Sequence, residues 1–168
     1  MNQAIQEQPR TKTTERPLYS PGLEGVIAGE SALCQVDEGE AGLRYRGYAI
    51  GDLAKWSRFE EVAYLLLIGH LPTRSELDSF STLLRGHRVL PDPVQRFIDS
   101  LRPGLHPMDV LRTGISLLGL SDPDAQDGSH EANLRKSMRL LSQIPLLIAH
   151  SYRVMAGTVP QRSDESRD

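Results

Sequence analysis

At 168 residues the chain has room for one ordinary domain, able to bury about 70% of its unfolded surface. Its 24% charged residues and net charge of -3 match a globular protein and give no electrostatic basis for binding nucleic acid or an anionic membrane. Cys34 is the only cysteine, which excludes an intrachain disulfide and fits a reducing compartment; the longest apolar runs, 65–68 and 144–149, fall far short of the ~18 residues of a membrane span.

In chain order, residues 1–18 read as a disordered leader. They are polar, have no apolar signal run, and offset Arg10, Lys12 and Arg16 with Glu7 and Glu15, which argues against an organellar transit peptide. A cytoplasmic protein is expected. Residues 19–160 form the folded part, and 161–168 a polar tail or truncated linker. Loose alternation predicts a β-hairpin, 26–36 against 43–48, with Gly39 and Gly42 in an acidic turn.

Everything later reads as helix. Ser57 and Glu60 have capping-box spacing and open a helix through Val62, Ala63, Leu65, Leu66 and Leu67 that Gly69 and Pro72 stop. Thr73 and Glu76 repeat the box and open a second helix with Leu77, Phe80, Leu83 and Leu84 on one face. Pro91 or Pro93 starts a third, in which Val94, Phe97, Ile98 and Leu101 recur at helical spacing. A fourth opens on Pro107 and runs to Leu120. After a loop from Asp122, the last helix (about 129–156) carries a seam of Leu134, Met138, Leu141, Ile148, Tyr152 and Met155. Pro145 should kink it, and Gly157 is its expected C-terminal cap. The fold class is mainly α: a small amino-terminal hairpin followed by about five helices.

Several chemical patterns fail on spacing. Gly22, Gly25 and Gly29 lead into a strand-like stretch rather than a dinucleotide-binding helix, and no Lys-Ser or Lys-Thr follows a glycine loop. Asp122, Asp124 and Gln126 hint at a calcium loop, but Asp127 replaces the required glycine and Asn133 the bidentate glutamate. His130 and Glu131 lack a second histidine at position 134, which is Leu. The five histidines (His70, His87, His106, His130, His150) are spread along the chain and read as caps or surface residues. Arg44, Tyr45, Arg46 and Tyr48 read as strand and turn rather than as a nucleotide platform, and Cys34 has no basic neighbour to activate it. Residues 106–113 (HPMDVLRT) form the sharpest local motif. Pro107 preorganises a helix start, Asp109 complements its dipole, and Gly114 and Ser116 are small enough to let another helix approach.

Residues 21–32 with 43–50, then 59–73, then 106–113, resemble in that order the amino-terminal part of citrate synthase, over about residues 19–160. Ala49 stands where that family usually has Asp or Pro. The resemblance implies part of the large helical domain of an enzyme that joins acetyl-CoA to oxaloacetate and, with water, releases citrate and CoA. Such chemistry needs a carboxylate base, a donor for the enolate and arginine clamps for the keto-diacid. The family's main catalytic set follows the matched region, so no catalytic, cofactor-binding or metal-binding residue is assigned, and the isolated chain is expected to be inactive. No cofactor is implied beyond acetyl-CoA as co-substrate. The implied partners are oxaloacetate, acetyl-CoA and a second copy, in a homodimer through helices including 107–120, with His106 and Arg112 in packing roles. The same segments occur in 2-methylcitrate synthases, which use propionyl-CoA, a difference of about one methylene in the acyl pocket. A short subunit of a split enzyme and a non-catalytic helical dimerisation module are the other readings. Uncovered seams should make the chain self-associate.

Overall fold

The structure, a computed structural model, describes residues 22, 25–26, 29–36 and 42–158; the expected leader, the acidic turn at 37–41 and the tail lie outside them. The chain divides into two units, 1–32 and 33–168. None of the described residues of the first lies in a strand, so the hairpin does not reach back to Val26.

The second unit opens with three short strands, β1 (Cys34–Val36), β2 (Leu43–Tyr45) and β3 (Tyr48–Ala49), in an antiparallel meander. Cys34 pairs with Tyr45 and Val36 with Leu43, and Tyr45 then pairs with Tyr48 across a two-residue turn. Both turn residues have positive φ, 48° at Arg46 and 89° at Gly47, as the tightest hairpin turns require. An arginine in this region is strained. Its Nη2 donates to the Leu66 carbonyl at 3.5 Å, placing the guanidinium near the negative end of a helix, while its Nε is buried without a hydrogen-bond partner.

Six helices follow among the described residues: α1 (Ile50–Trp56), α2 (Phe59–Ile68), α3 (Arg74–Gly86), α4 (Asp92–Asp99), α5 (Pro107–Ser121) and α6 (His130–Met155). The five expected from sequence are there; α1 is additional. It has seven residues, no side-chain cap at Ala49 and one buried residue, Leu53, so it leaves almost no periodic signal. Its presence moves the first capping box. The Ser57 N–H closes α1 on the Leu53 carbonyl at 3.0 Å, and Glu61, not Glu60, accepts from the Arg58 N–H at 2.7 Å. The second box is as expected: Glu76 accepts from the Thr73 N–H at 2.8 Å, and the Thr73 hydroxyl accepts from the Glu76 N–H. Gly69 ends α2 with φ of 108°, and Gly157, φ 70°, follows α6 with its N–H on the Val154 carbonyl.

Two apolar clusters hold these helices. Val94 and Ile98 of α4, Leu118 of α5 and Leu147 of α6 form one; Ala63 of α2 with Phe80 and Leu84 of α3 form the other, against which Met138 and Leu141 of α6 pack. Helix α6 therefore serves both clusters and runs unbroken through Pro145. The four largest fully buried side chains, Leu65, Val94, Ile98 and Leu147, each contribute about 1.5–3 kcal/mol. The sequence seam on α6 holds only in part. Met138 and Leu141 pack inward, but Ile148 and Tyr152 are exposed, and the buried positions beyond Pro145 are Leu147 and Ser151. No helix among the described residues is long and apolar enough to cross a membrane.

Helices α5 and α6 meet at Gly114. A Cβ there would lie 2.6 Å from both δ-carbons of Leu147. Gly114→Ala should therefore destabilise the chain by about 1–3 kcal/mol through overpacking. Gly119→Ala, on the same helix with nothing within 4 Å, should be neutral or slightly stabilising. Thermal melts of the two variants check this contrast.

Candidate functional site

The HPMDVLRT motif opens α5 as the sequence requires. His106 is the N-cap, its Nδ1 accepting from the Met108 N–H at 3.3 Å, and Pro107 occupies the first turn. Arg112 does not pack within the chain. It is exposed and donates to Asp109 at 2.6 Å, one turn back on its own helix. Ser116 likewise faces solvent, bonded to the Arg112 carbonyl, so of the two small residues Gly114 alone makes the close helix approach.

The acidic loop between α5 and α6 is tied to α6 by two arginines. Arg139 grips Asp122 through two hydrogen bonds of 2.9 and 2.7 Å and also reaches Asp124; Arg135 grips Asp124 through two of 3.0 and 2.7 Å. The side chains of Arg139, Asp122 and Asp124 are only 12–18% exposed. Burial alone would raise the Asp122 carboxyl, but hydrogen bonds from Arg139 and the Asp124 N–H outweigh it and hold the group below the ordinary carboxylate range. Arg135, followed by Arg139, depresses Asp124 strongly. The Ser129 N–H, bonded to Asp127 at 2.8 Å, lowers that carboxyl as well, while the Ser129 hydroxyl caps α6 by accepting from the Ala132 N–H. Asp122 and Asp124, the two carboxylates that hinted at a calcium loop, are thus neutralised by guanidinium groups. This network was missed in the sequence, although Asp122 and Asp124 two apart, with Arg135 and Arg139 one helical turn apart, signal it.

The histidines stay dispersed. His70 lies edge-on to Tyr64, His87 caps the end of α3, His130 opens α6, and His150 lies within α6. Among the described residues no group of three or more His, Cys, Asp or Glu is placed to hold a metal ion. Arg44 donates to the Gly47 carbonyl at 3.0 Å and serves the hairpin. Cys34 is exposed on β1.

What the helices offer outward is apolar. On the α5–α6 side, Met108 is 61% and Tyr152 70% exposed, with Ile115 and Ile148 also exposed. Met108, Ile148 and Tyr152 line a groove of about 280 Å³ together with Val110, Leu111 and Ser151, whose hydroxyl is buried without a hydrogen-bond partner. A second groove of about 510 Å³ runs between α2 and α6, lined by Phe59, Ala63, Leu66, Leu140 and Ile144 among others.

These features define a helical chain with two apolar grooves on its surface. The family model described as citrate synthase, C-terminal domain, matches residues 22–168. A 2-methylcitrate synthase from Shewanella oneidensis is 42% identical over 138 residues, 82% of this chain and 36% of that protein. A citrate synthase from Mycolicibacterium smegmatis is 39% identical over 147 residues, 88% of this chain and 39% of that one. The crystal structure of Pyrobaculum aerophilum citrate synthase superposes with a TM-score of 0.80 at 29% identity, over 97% of this chain and 43% of that chain. In fold alone, at 22% identity, the chain also matches the Thermoplasma acidophilum citrate synthase solved with carboxymethyl coenzyme A and oxaloacetate, with a TM-score of 0.78. The chain belongs to the citrate synthase family, and it spans well under half the length of these relatives.

The depressed carboxyls set a pH dependence. Asp122, Asp124, Asp127 and Glu76 ionise at lower pH in the folded chain than in the unfolded one. Below about pH 4 the unfolded chain therefore binds more protons. Stability should be full above about pH 5 and decline as pH falls through and below the unfolded carboxylate range. Melting temperatures across that range should show the decline, and Arg139→Gln should lower Tm at neutral pH and flatten the slope.

Proposed function

We propose that the chain is the amino-terminal portion of a citrate-forming enzyme, which condenses acetyl-CoA with oxaloacetate and hydrolyses the thioester to release citrate and CoA. The observation that carries this reading is the agreement of sequence and fold over one stretch. The family match over 22–168 falls on the same helices that superpose on the Pyrobaculum aerophilum enzyme. Oxaloacetate and acetyl-CoA are the partners of the complete enzyme in this reading, with acetyl-CoA consumed as co-substrate. Use of propionyl-CoA, giving 2-methylcitrate, is the second reading. It is favoured by the name of the 42% identical Shewanella oneidensis relative.

Within that enzyme the chain supplies scaffold. Removing a thioester α-proton calls for a carboxylate base left facing the substrate. The shifted carboxyls here are all lowered and engaged, Asp122 and Asp124 by arginines, Glu76 and Asp127 by helix-start donors. The chain alone should be inactive, because the family's main catalytic set follows the region that the resemblance covers. A second copy is proposed on the α5–α6 face, where Met108, Ile115, Ile148 and Tyr152 are exposed. Apolar side chains so placed are usual at an interface and rare on a free surface. A cytoplasmic location completes the reading.

Two measurements test it. With oxaloacetate present, the 168-residue chain should release no thiol from acetyl-CoA or propionyl-CoA. A chimera carrying this chain in place of the matched segment of the Shewanella oneidensis enzyme should release it, and the preferred acyl-CoA separates the two substrate readings. A chimera that folds and stays silent overturns the reading. In sedimentation the chain should self-associate, and Tyr152→Glu should weaken association about tenfold or more, as expected of an aromatic anchor; a monomeric wild-type chain would reject the dimer face.

A further inference from the structure

A third cavity, of about 740 Å³, lies against α2 and α3, and its wall is cationic. Arg74, Asp78, Ser81 and Arg85 recur along α3 at helical spacing, so one face of that helix forms the wall, and Arg88 follows just past the helix end. Arg58 and Glu60, at the start of α2, line the same space. Four guanidinium groups thus face two carboxylates, in a chain whose net charge is -3. We propose that this cavity binds a small oxyanion carrying two or more negative charges, either a phosphate compound or a polycarboxylate. The site stands on the arginines of this chain, independently of the family reading.

The positive charge is not spread evenly. Arg74 is committed to Asp78, one turn along the same helix at 3.3 Å. Arg85 donates to the Thr82 hydroxyl at 3.1 Å, which holds its guanidinium at the wall. Arg58, which is exposed, and Arg88, which is half-buried, form no ion pair among the described residues, although Glu60 lines the same cavity. Like charges gathered without a carboxylate between them repel one another, and a bound anion removes that repulsion. Two guanidinium groups without an ionic partner call for a ligand of at least two charges. The guanidinium fork matches the paired oxygens of a phosphoryl or carboxylate group, and it keeps its proton at any working pH. The volume is that of a small-molecule site, typically about 300–1,000 Å³. A nucleic-acid backbone would need an unbroken basic stripe, which Glu60 and Asp78 interrupt.

Calorimetric titration of the full 168-residue chain at low ionic strength, with inorganic pyrophosphate and separately with citrate, tests the site. At least one of the two should bind, and acetate, with a single charge, should bind about tenfold more weakly or less. Arg88→Gln should weaken binding about tenfold or more, through loss of a charge-assisted hydrogen bond. Arg58→Gln, at an exposed position, should do the same, which keeps the test decisive should Arg88→Gln unfold. Arg88→Lys, which keeps the charge and loses the fork, should fall between wild type and Arg88→Gln. Arg112→Gln, at an exposed arginine already paired with Asp109 on α5, should leave binding within about twofold. Binding of pyrophosphate alone assigns a phosphate ligand, and binding of citrate alone a polycarboxylate; binding of both supports the shared oxyanion chemistry. Absence of binding by either at millimolar concentration would overturn the inference. So would acetate binding as tightly as the multivalent ions, or Arg58 and Arg88 variants that bind as well as wild type. None of these failures touches the family reading, which stands or falls on the chimera.

Discussion

Leu147 occupies the space that a side chain at position 114 would need, and much of the helical packing follows from that contact. With no Cβ at Gly114, α5 and α6 approach closely enough for Leu147 to reach Leu118, and beyond it Val94 and Ile98 of α4. Once α6 is set against α5, its first half is committed to the other cluster, where Met138 and Leu141 meet Phe80, Leu84 and Ala63. One helix thus carries two cores, and a change at its closest contact is transmitted to both.

The loop joining α5 to α6 makes that packing specific. Four charged side chains converge where the chain reverses, and a bidentate arginine fork fixes both distance and plane. Carboxylates held this way are weak proton acceptors, because the arginines that lower their pKa also occupy their oxygens, whereas a general base needs a pKa near the working pH. The same geometry explains why an acidic, turn-rich loop that looks ready for a cation holds none of its carboxylates free.

The outward surfaces carry apolar side chains. A self-sufficient domain of this size hides its large apolar side chains or scatters them. Here Phe59 lines the groove on the α2 side of α6, Met108, Ile148 and Tyr152 line the one on the α5 side, and others, Trp56 and Leu120 among them, stand exposed elsewhere. The chain spans 36% of the Shewanella oneidensis relative and 43% of the Pyrobaculum aerophilum chain.

Local rules were legible in the residues themselves. The box at Thr73 and Glu76, the start at His106 and Pro107, the α4 stripe of Val94 and Ile98 and the stop at Gly157 depend on neighbours within a turn or two, so their spacing alone determined them. The order of the motifs likewise carried the family. The short α1 was hidden because seven residues with one buried side chain have no period to display, and its end displaced the capping box by one residue. Tertiary structure alone decided which side of α6 faces inward beyond Pro145, that Gly114 and not Ser116 is the point of approach, and that Arg135 and Arg139 close on Asp124 and Asp122. The partners lie 11 to 53 positions apart, and sequence spacing encodes no distance between groups that meet only when the chain folds back on itself.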